Sequence, residues 1–214
     1  MQVFRRVGLI LFSLGVLVMA PISTTTATTG KVESEHQRGP LVNASFSTLD
    51  DSGCIDTETF VTANQTTDYR NDATGATTGI AAVNVFVFDQ CTGETLLQLV
   101  GDTESLQPGD FQVSNQWDWA SLRTTITVTN IDTGETSDIA VDMTWIGTSD
   151  VHRDHENTNE VFAGCHILNR WNGTGRDASA SGSVTQDGAS FAPGASQSAE
   201  IGFVHDGFVV IGCP

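Results

Sequence analysis

Lysine is almost missing from this chain: Lys31 is the only one in 214 residues. Basic residues total 9 against 26 acidic ones, a formal net charge of −17 at pH 7. Such a surface repels phosphate backbones and anionic bilayers, which excludes nucleic acid as a natural partner. No helix-length stretch carries apolar residues at the 3.6-residue spacing, so helical bundles and alternating α/β folds are excluded as well. Metal and catalytic signatures are also lacking. Without a CxxC spacing the cysteines do not form a zinc site. There is no HExxH, no GxSxG elbow and no glycine-rich phosphate loop. The many scattered acids single out no pair of catalytic carboxylates.

What is present begins with a basic start, Arg5-Arg6, followed by the apolar run Val7–Ile22 and small residues through Ala27. The run is about sixteen residues, short of the roughly twenty that span a bilayer. The order of basic, apolar and small segments predicts an export signal over residues 1–27, cut after Ala27. Export leaves about 187 residues, within the range of one domain. It predicts a secreted, extracellular or cell-surface protein with no membrane insertion after cleavage. An oxidising compartment also lets cysteines pair. With Arg5 and Arg6 removed, the net charge becomes −19 (−17 − 2). That acidity has two readings: solubility through self-repulsion, or adaptation to high salt.

Residues 28–43 are Thr-rich, then polar, with Gly39-Pro40, and predict a flexible leader. From Ala44 to residue 214, short Val/Ile/Phe/Thr runs alternate with Gly, Asn, Asp and Ser turns. This predicts a single all-β domain, an antiparallel β-sandwich of the immunoglobulin-like or jelly-roll-like kind. Strands are expected over Cys54–Ala63, Ile80–Phe88, Thr95–Val100 and Leu122–Asn130, and around Ile139–Trp145. The nearly continuous apolar texture of Ile80–Phe88 suits a strand covered on both faces. Trp145 continues an apolar face and reads as core. Ile201–Ile211 is expected to fold back at Asp206-Gly207 through a type I′ turn. Asp89–Thr95 and Asn130–Thr136 echo each other, each ending Thr-Gly-Glu-Thr, and predict two similar hairpin turns.

Four cysteines in an exported chain predict two disulfides. If the first two strands pair around the loop Asp68–Thr78, opposed residues sum to about 145 and Cys54 faces Cys91. That leaves Cys165 with Cys213, a bridge fastening the chain end.

Candidate binding residues are Trp117 and Trp119, flanking Asp118. Two apart on a strand they would share a face, stack on a sugar ring, and leave Asp118 or Asn115 to reach hydroxyls. The competing reading breaks the strand near Ala120 and closes the core edge with both rings. A second cluster, His152, Asp154, His155 and Glu156, mixes imidazole and carboxylate in a way that suits zinc. His166 and His205 are further imidazoles that folding could bring together. The Asp50-Asp51-Ser52-Gly53 and Arg70-Asn71-Asp72 turns offer oxygen ligands to calcium, without the DxDxDG spacing. Zinc and calcium are the alternatives to an expectation of no cofactor.

The residues together predict a non-enzymatic extracellular binding module whose partner is a carbohydrate or another protein. Two other readings stand beside it: a metal-dependent hydrolase built on the His152–Glu156 loop, and a structural envelope protein.

Overall fold

The computed structural model describes residues 32–68, 77–103, 106–162, 165–192 and 194–212; for 32–37, 68, 154, 156, 158–162, 165–171 and 206–212 it describes the backbone alone. The segment 1–31, with the expected export signal, lies outside the described residues. So do the Arg70-Asn71-Asp72 turn and Cys213.

Every named element is a strand: β1 (Val32–Leu49), β2 (Ile55–Asp68), β3 (Thr77–Asp89), β4 (Glu94–Thr103), β5 (Phe111–Val113), β6 (Trp119–Asn130), β7 (Thr136–Gly147), β8 (His152–Phe162), β9 (Cys165–Gln186), β10 (Ala189–Ser190) and β11 (Ser198–Gly212). All pairings between them are antiparallel. The all-β expectation therefore holds, with no helix among the described residues.

Following hydrogen bonds from strand to strand gives the circuit β1–β2–β3–β4–β6–β7–β9–β11 and back to β1. The eight strands of this ring succeed one another in chain order, a meander closed on itself. Immunoglobulin-like and jelly-roll sandwiches instead need Greek-key crossings between sheets. Closure removes free sheet edges, the main liability of an antiparallel fold. The shortest seam of the ring is β4–β6, three residue pairs long, from Leu99↔Asn130 to Gly101↔Val128. A side chain on Gly101 would strike the Thr127 carbonyl. Glycine there lets the two backbones meet.

Alternation along the ring strands builds one core. Val42, Ala44 and Phe46 of β1, Val61 and Ala63 of β2, and Ala81, Val83 and Val85 of β3 point inward. Opposite them stand Leu122, Ile126 and Val128 of β6 and Ile139, Val141, Met143 and Trp145 of β7. The intervening residues of β7 are all exposed, and Ser137 and Gly147, half-buried, continue the inward phase at the two ends, a strict period of two. Trp145 is fully buried, as its pattern predicts, and its indole Nε1 donates to the Asn43 carbonyl at 2.8 Å. That bond satisfies the one polar atom a buried tryptophan carries.

β3 is less covered than its composition suggests: Ala81, Val83 and Val85 are buried, but the second face is only half-buried and Phe88 is exposed. Its second face carries Phe86, whose ring meets Phe60 of β2 edge-on at 6.1 Å. At the end of the β2–β3 hairpin, Cys54 and Cys91 form a disulfide with Cα atoms 5.3 Å apart. The β2–β3 pairs sum to 144, one less than expected, so just past the ladder Cys54 stands against Gln90, whose amide donates to its carbonyl at 2.8 Å, and bridges to the next residue, Cys91. The two echoing turns adopt one geometry. Asp89 Oδ1 accepts from the Cys91 and Thr92 amides at 2.8 and 3.0 Å. Asn130 Oδ1 accepts from Asp132 and Thr133 at 2.9 and 3.2 Å. Gly93 and Gly134 supply the left-handed residue each turn requires, with φ of 81° and 73°.

Two expectations need correction. The leader drawn over residues 28–43 overlaps strand β1, which begins at Val32 and pairs with β11 from its first residue. Its polar composition hid it, because the apolar residues of that part of the sheet are supplied by β11 and β9. Second, β11 does not fold back at Asp206-Gly207. It runs unbroken to Gly212, and the dipeptide marks a β-bulge between Val204 and Asp206. Opposite the bulge, the β1 register shifts between Gln37 and Gly39.

Below this level the ring opens. Residues 32–36 of β1, 207–212 of β11, 166–172 of β9 and 155–161 of β8 form a four-stranded extension. Among the described residues its outer strands pair on one edge only.

Candidate functional site at the mouth of the ring

The bulge lies where ring passes into extension, and it concentrates the chemically interesting side chains. His205 is the inserted residue: Val204 faces Gly173 and Asp206 faces Asn172, leaving His205 without a register partner. Bulges are common at barrel rims, where they aim a side chain. Here the imidazole lies against Phe203, ring centroids 5.2 Å apart, and its Nε2 is 3.0 Å from Thr174 Oγ1. Phe203 also meets Trp117 at 6.2 Å, and the Arg38 guanidinium lies 5.9 Å from the Phe203 centroid.

These groups border a cleft of ≈ 330 Å³ lined by Arg38, Gly39, Pro40, Gln65, Thr67, Thr77 and Phe203. The local sequence explains the opening. Gly39 brings β1 so close to β2 that any side chain there would strike the Gln65 carbonyl. Pro40, next to it, has no amide to donate to the ladder. Beside the cleft, Leu106 seals the end of the core; its amide donates to the Gly79 carbonyl at 3.1 Å. One wall is thus apolar and aromatic, while the rim carries a guanidinium, an amide and hydroxyls. Thr67 and Thr77 bond to each other through Oγ1 at 2.9 Å.

Trp117 reaches Phe203 through an unusual backbone. Its φ is 54°, a left-handed conformation that costs a bulky residue energy. Ser114 holds the turn. Its carbonyl accepts from the Trp117 amide at 3.0 Å, and its Oγ accepts from the Asp118 and Trp119 amides at 3.0 and 3.2 Å. Ser114 Oγ also donates to Asp118 Oδ1. That bond, chiefly, holds the Asp118 carboxyl below the usual carboxylate range.

The expected Trp117–Trp119 pair therefore splits. Trp117 lies before β6, half-buried against the core and Phe203. Trp119 opens β6 on the outer face, exposed, across from the exposed Ile146. The strand starts at Trp119, and the left-handed residue before it turns the first ring inward. Asp118 is tied into the turn, and Asn115 is exposed in it.

His152 and His155 are exposed on strand β8 rather than in a loop. Three residues apart on a strand, they fall on opposite faces. The side chains of Asp154 and His166 lie outside the description. Among the described residues, the only three ligand-type groups within 4.8 Å of one another are Cys54, Asp89 and Cys91. Two of these are consumed by the disulfide. The Asp50 carboxylate is likewise occupied, accepting from the Cys54 and Ile55 amides at 3.0 and 2.9 Å.

Sequence reasoning found Trp117 but missed Arg38, Gln65, Thr67, Thr77, Thr174 and Phe203, and it left His205 unplaced. The usable signal was a pair of strand-breaking dipeptides, Gly39-Pro40 and Asp206-Gly207, inside otherwise continuous strands. Chemically, the Thr174–His205 contact pairs a hydroxyl with a base. Among the described residues no carboxylate orients the imidazole, so the arrangement lacks the third member of a nucleophilic triad.

No protein-family model, curated protein or solved structure matches this chain. Its class rests on its own geometry: a closed antiparallel β meander with an aromatic cleft at one mouth.

Proposed function

We propose that this is an exported, non-enzymatic binding module that holds a carbohydrate at the mouth of its ring. The observation that carries the reading is the Trp117–Phe203 pair, with rings 6.2 Å apart beside a cleft rimmed by Arg38, Gln65, Thr67 and Thr77. Aromatic faces shelter the C–H side of a sugar ring while polar rim groups meet its hydroxyls. The volume is at the lower end of the ~300–1,000 Å³ typical of small-ligand sites.

Export is supported by the N-terminal segment and is compatible with the Cys54–Cys91 disulfide. No helix among the described residues is long and apolar enough to cross a membrane. Two finer features belong to the same reading. The ring is flattened into two packed arcs, a sandwich joined at both edges. A second disulfide joins Cys165 to Cys213. The β9–β11 ladder supports that bridge, since it ends at His166↔Gly212, and the two cysteines are the next residues in sequence on either side.

The test is a glycan array followed by NMR titration. Binding should perturb the Trp117 indole signal, and Phe203→Ala should weaken affinity about tenfold or more, as truncating an aromatic anchor does. Absence of binding across neutral and acidic glycans would overturn the proposal.

A further inference from the structure

We infer that the cleft selects a sugar bearing a carboxylate, and that Arg38 reads it. This rests on the carbohydrate reading above and goes one step beyond it. The first observation concerns charge. Acidic residues outnumber basic ones by 26 to 9, so an arginine has every opportunity to find a carboxylate. Arg123 does, donating to Asp142 Oδ2 from Nε at 3.0 Å and Nη2 at 2.7 Å. Arg176 lies close enough to Asp118 to help lower its pKa. Arg38 pairs with no carboxylate among the described residues; its contact is the Phe203 ring.

The second observation is placement. Arg38 is exposed on the cleft rim, and the ring beneath it belongs to the aromatic wall. A guanidinium held over an aromatic face keeps its outer N–H edge free for a planar acceptor, and that fork matches a carboxylate through two parallel hydrogen bonds. A second cation stands nearby in the register. Pro40, Phe203, Thr174 and Arg153 follow one another across β1, β11, β9 and β8. Residues directly opposed across neighbouring strands share a face. The aromatic side of the mouth thus gathers Arg38, Arg153 and His205 in a chain with few cations.

The third argument is the whole-molecule field. A net charge of −17 works against any polyanion and most strongly against a multiply charged one. A ligand with a single carboxylate on a sugar ring, a uronide, gains the local guanidinium at the least long-range cost.

The experiment compares matched methyl glycosides that differ only in carrying COO⁻ or CH₂OH at the ring, in the gluco, galacto and manno series. Each is titrated by NMR against the full chain at low and molar NaCl. The uronide of at least one series should bind about tenfold more tightly than its neutral partner at low salt, with the advantage shrinking as salt rises. Arg38→Gln should bring the ratio of uronide to neutral affinity down to about one, while Arg38→Lys keeps part of the preference. A thermal melt confirms that the exposed substitution leaves the fold intact. Equal binding of acid and neutral partners would overturn the uronide inference but spare the carbohydrate reading. Binding of no glycoside would overturn both. A preference that survives in Arg38→Gln and vanishes in Arg153→Gln would overturn the assignment to Arg38.

Discussion

The ring and the extension below it are made partly from the same strands, yet they are different kinds of structure. β1, β9 and β11 run through both. Within the ring each strand is paired on two edges, and its inward side chains join a common core with Val61, Val83, Ile126 and Trp145. In the extension, β8 pairs with β9 alone among the described residues, and residues 32–36 of β1 pair with β11 alone. At the bulge β1 loses its second neighbour, β2, while β11 and β9 keep two; what ends there is the closure of the ring, not the secondary structure. Ordinary β ladders acquire stability when closure and a shared core constrain them, and a functional cleft can form where that constraint ends.

The comparison is most sharply tested inside the ring. Trp145→Ala should cost about 4–5 kcal/mol in urea denaturation, because it opens a large cavity and orphans the Asn43 carbonyl. His155→Ala, exposed on the extension, should stay within about 0.5 kcal/mol. Comparable losses would mean that the extension carries as much of the fold as the ring.

Next is the staple. Cys54 and Cys91 are separated by 37 positions, and closing a loop of that size is worth about 3–4 kcal/mol in the chain-entropy description. The double Cys→Ser variant should lose that much, read as a lowered denaturation midpoint with a steeper slope, because the unfolded chain expands once the cross-link is gone. A loss well below that size would mean that the bridge contributes little beyond the ladder.

A third test separates the regions directly. In native-state hydrogen exchange, amides of β6 and β7 should open only with global unfolding. Those of β8 should exchange through a local opening roughly 2 kcal/mol or more easier. Uniform protection would erase the distinction.

The smallest effects lie in the turns at the far end of the ring. Removing the accepting side chain in Asn130→Ala should cost about 1 kcal/mol. The Asp89 turn adds a pH dependence that its Asn130 twin lacks. Amide donation, first from Thr92, holds the Asp89 carboxyl below its ordinary 3.8. Asp50 is lowered likewise, first by the Ile55 amide. A group whose pKa is depressed in the folded state stabilises it fully above the unfolded value. That contribution is lost as pH falls below 3.8 and through the folded pKa. Acid titration followed by amide NMR should therefore loosen the Asp89 and Asp50 turns while the Asn130 turn persists. Asp89→Asn should remove the acid response of its own turn; an unchanged response would show that another group controls it.

Much of the ring is legible in the sequence because its strands obey a local rule. Leu122, Ile126 and Val128 alternate with polar residues, and Ile139 through Trp145 repeat the pattern, so inward and outward faces follow from a period of two. The Cys54–Cys91 pairing followed from hairpin register for the same reason. Legibility failed where one strand's character depended on another's. Val32–Asn43 looks like a polar tail until β11 is laid beside it. Asp206-Gly207 looks like a turn until partners on both edges hold the strand straight through a bulge. The Trp117–Trp119 spacing suggested one shared face, and only the left-handed turn set by Ser114 and Asp118 separates the rings.

Composition and periodicity by themselves determined that the chain forms antiparallel strands, which residues face inward, and that Cys54 meets Cys91. These are short-range properties, fixed by the pleat and by hairpin register. The tertiary structure alone decided that the strands close into a ring, where the ring ends, and that Arg38, Trp117 and Phe203 meet across 165 positions (203 − 38). Such contacts depend on the path of the whole sheet, and strand pairing across that distance is set by the joint register of every intervening ladder.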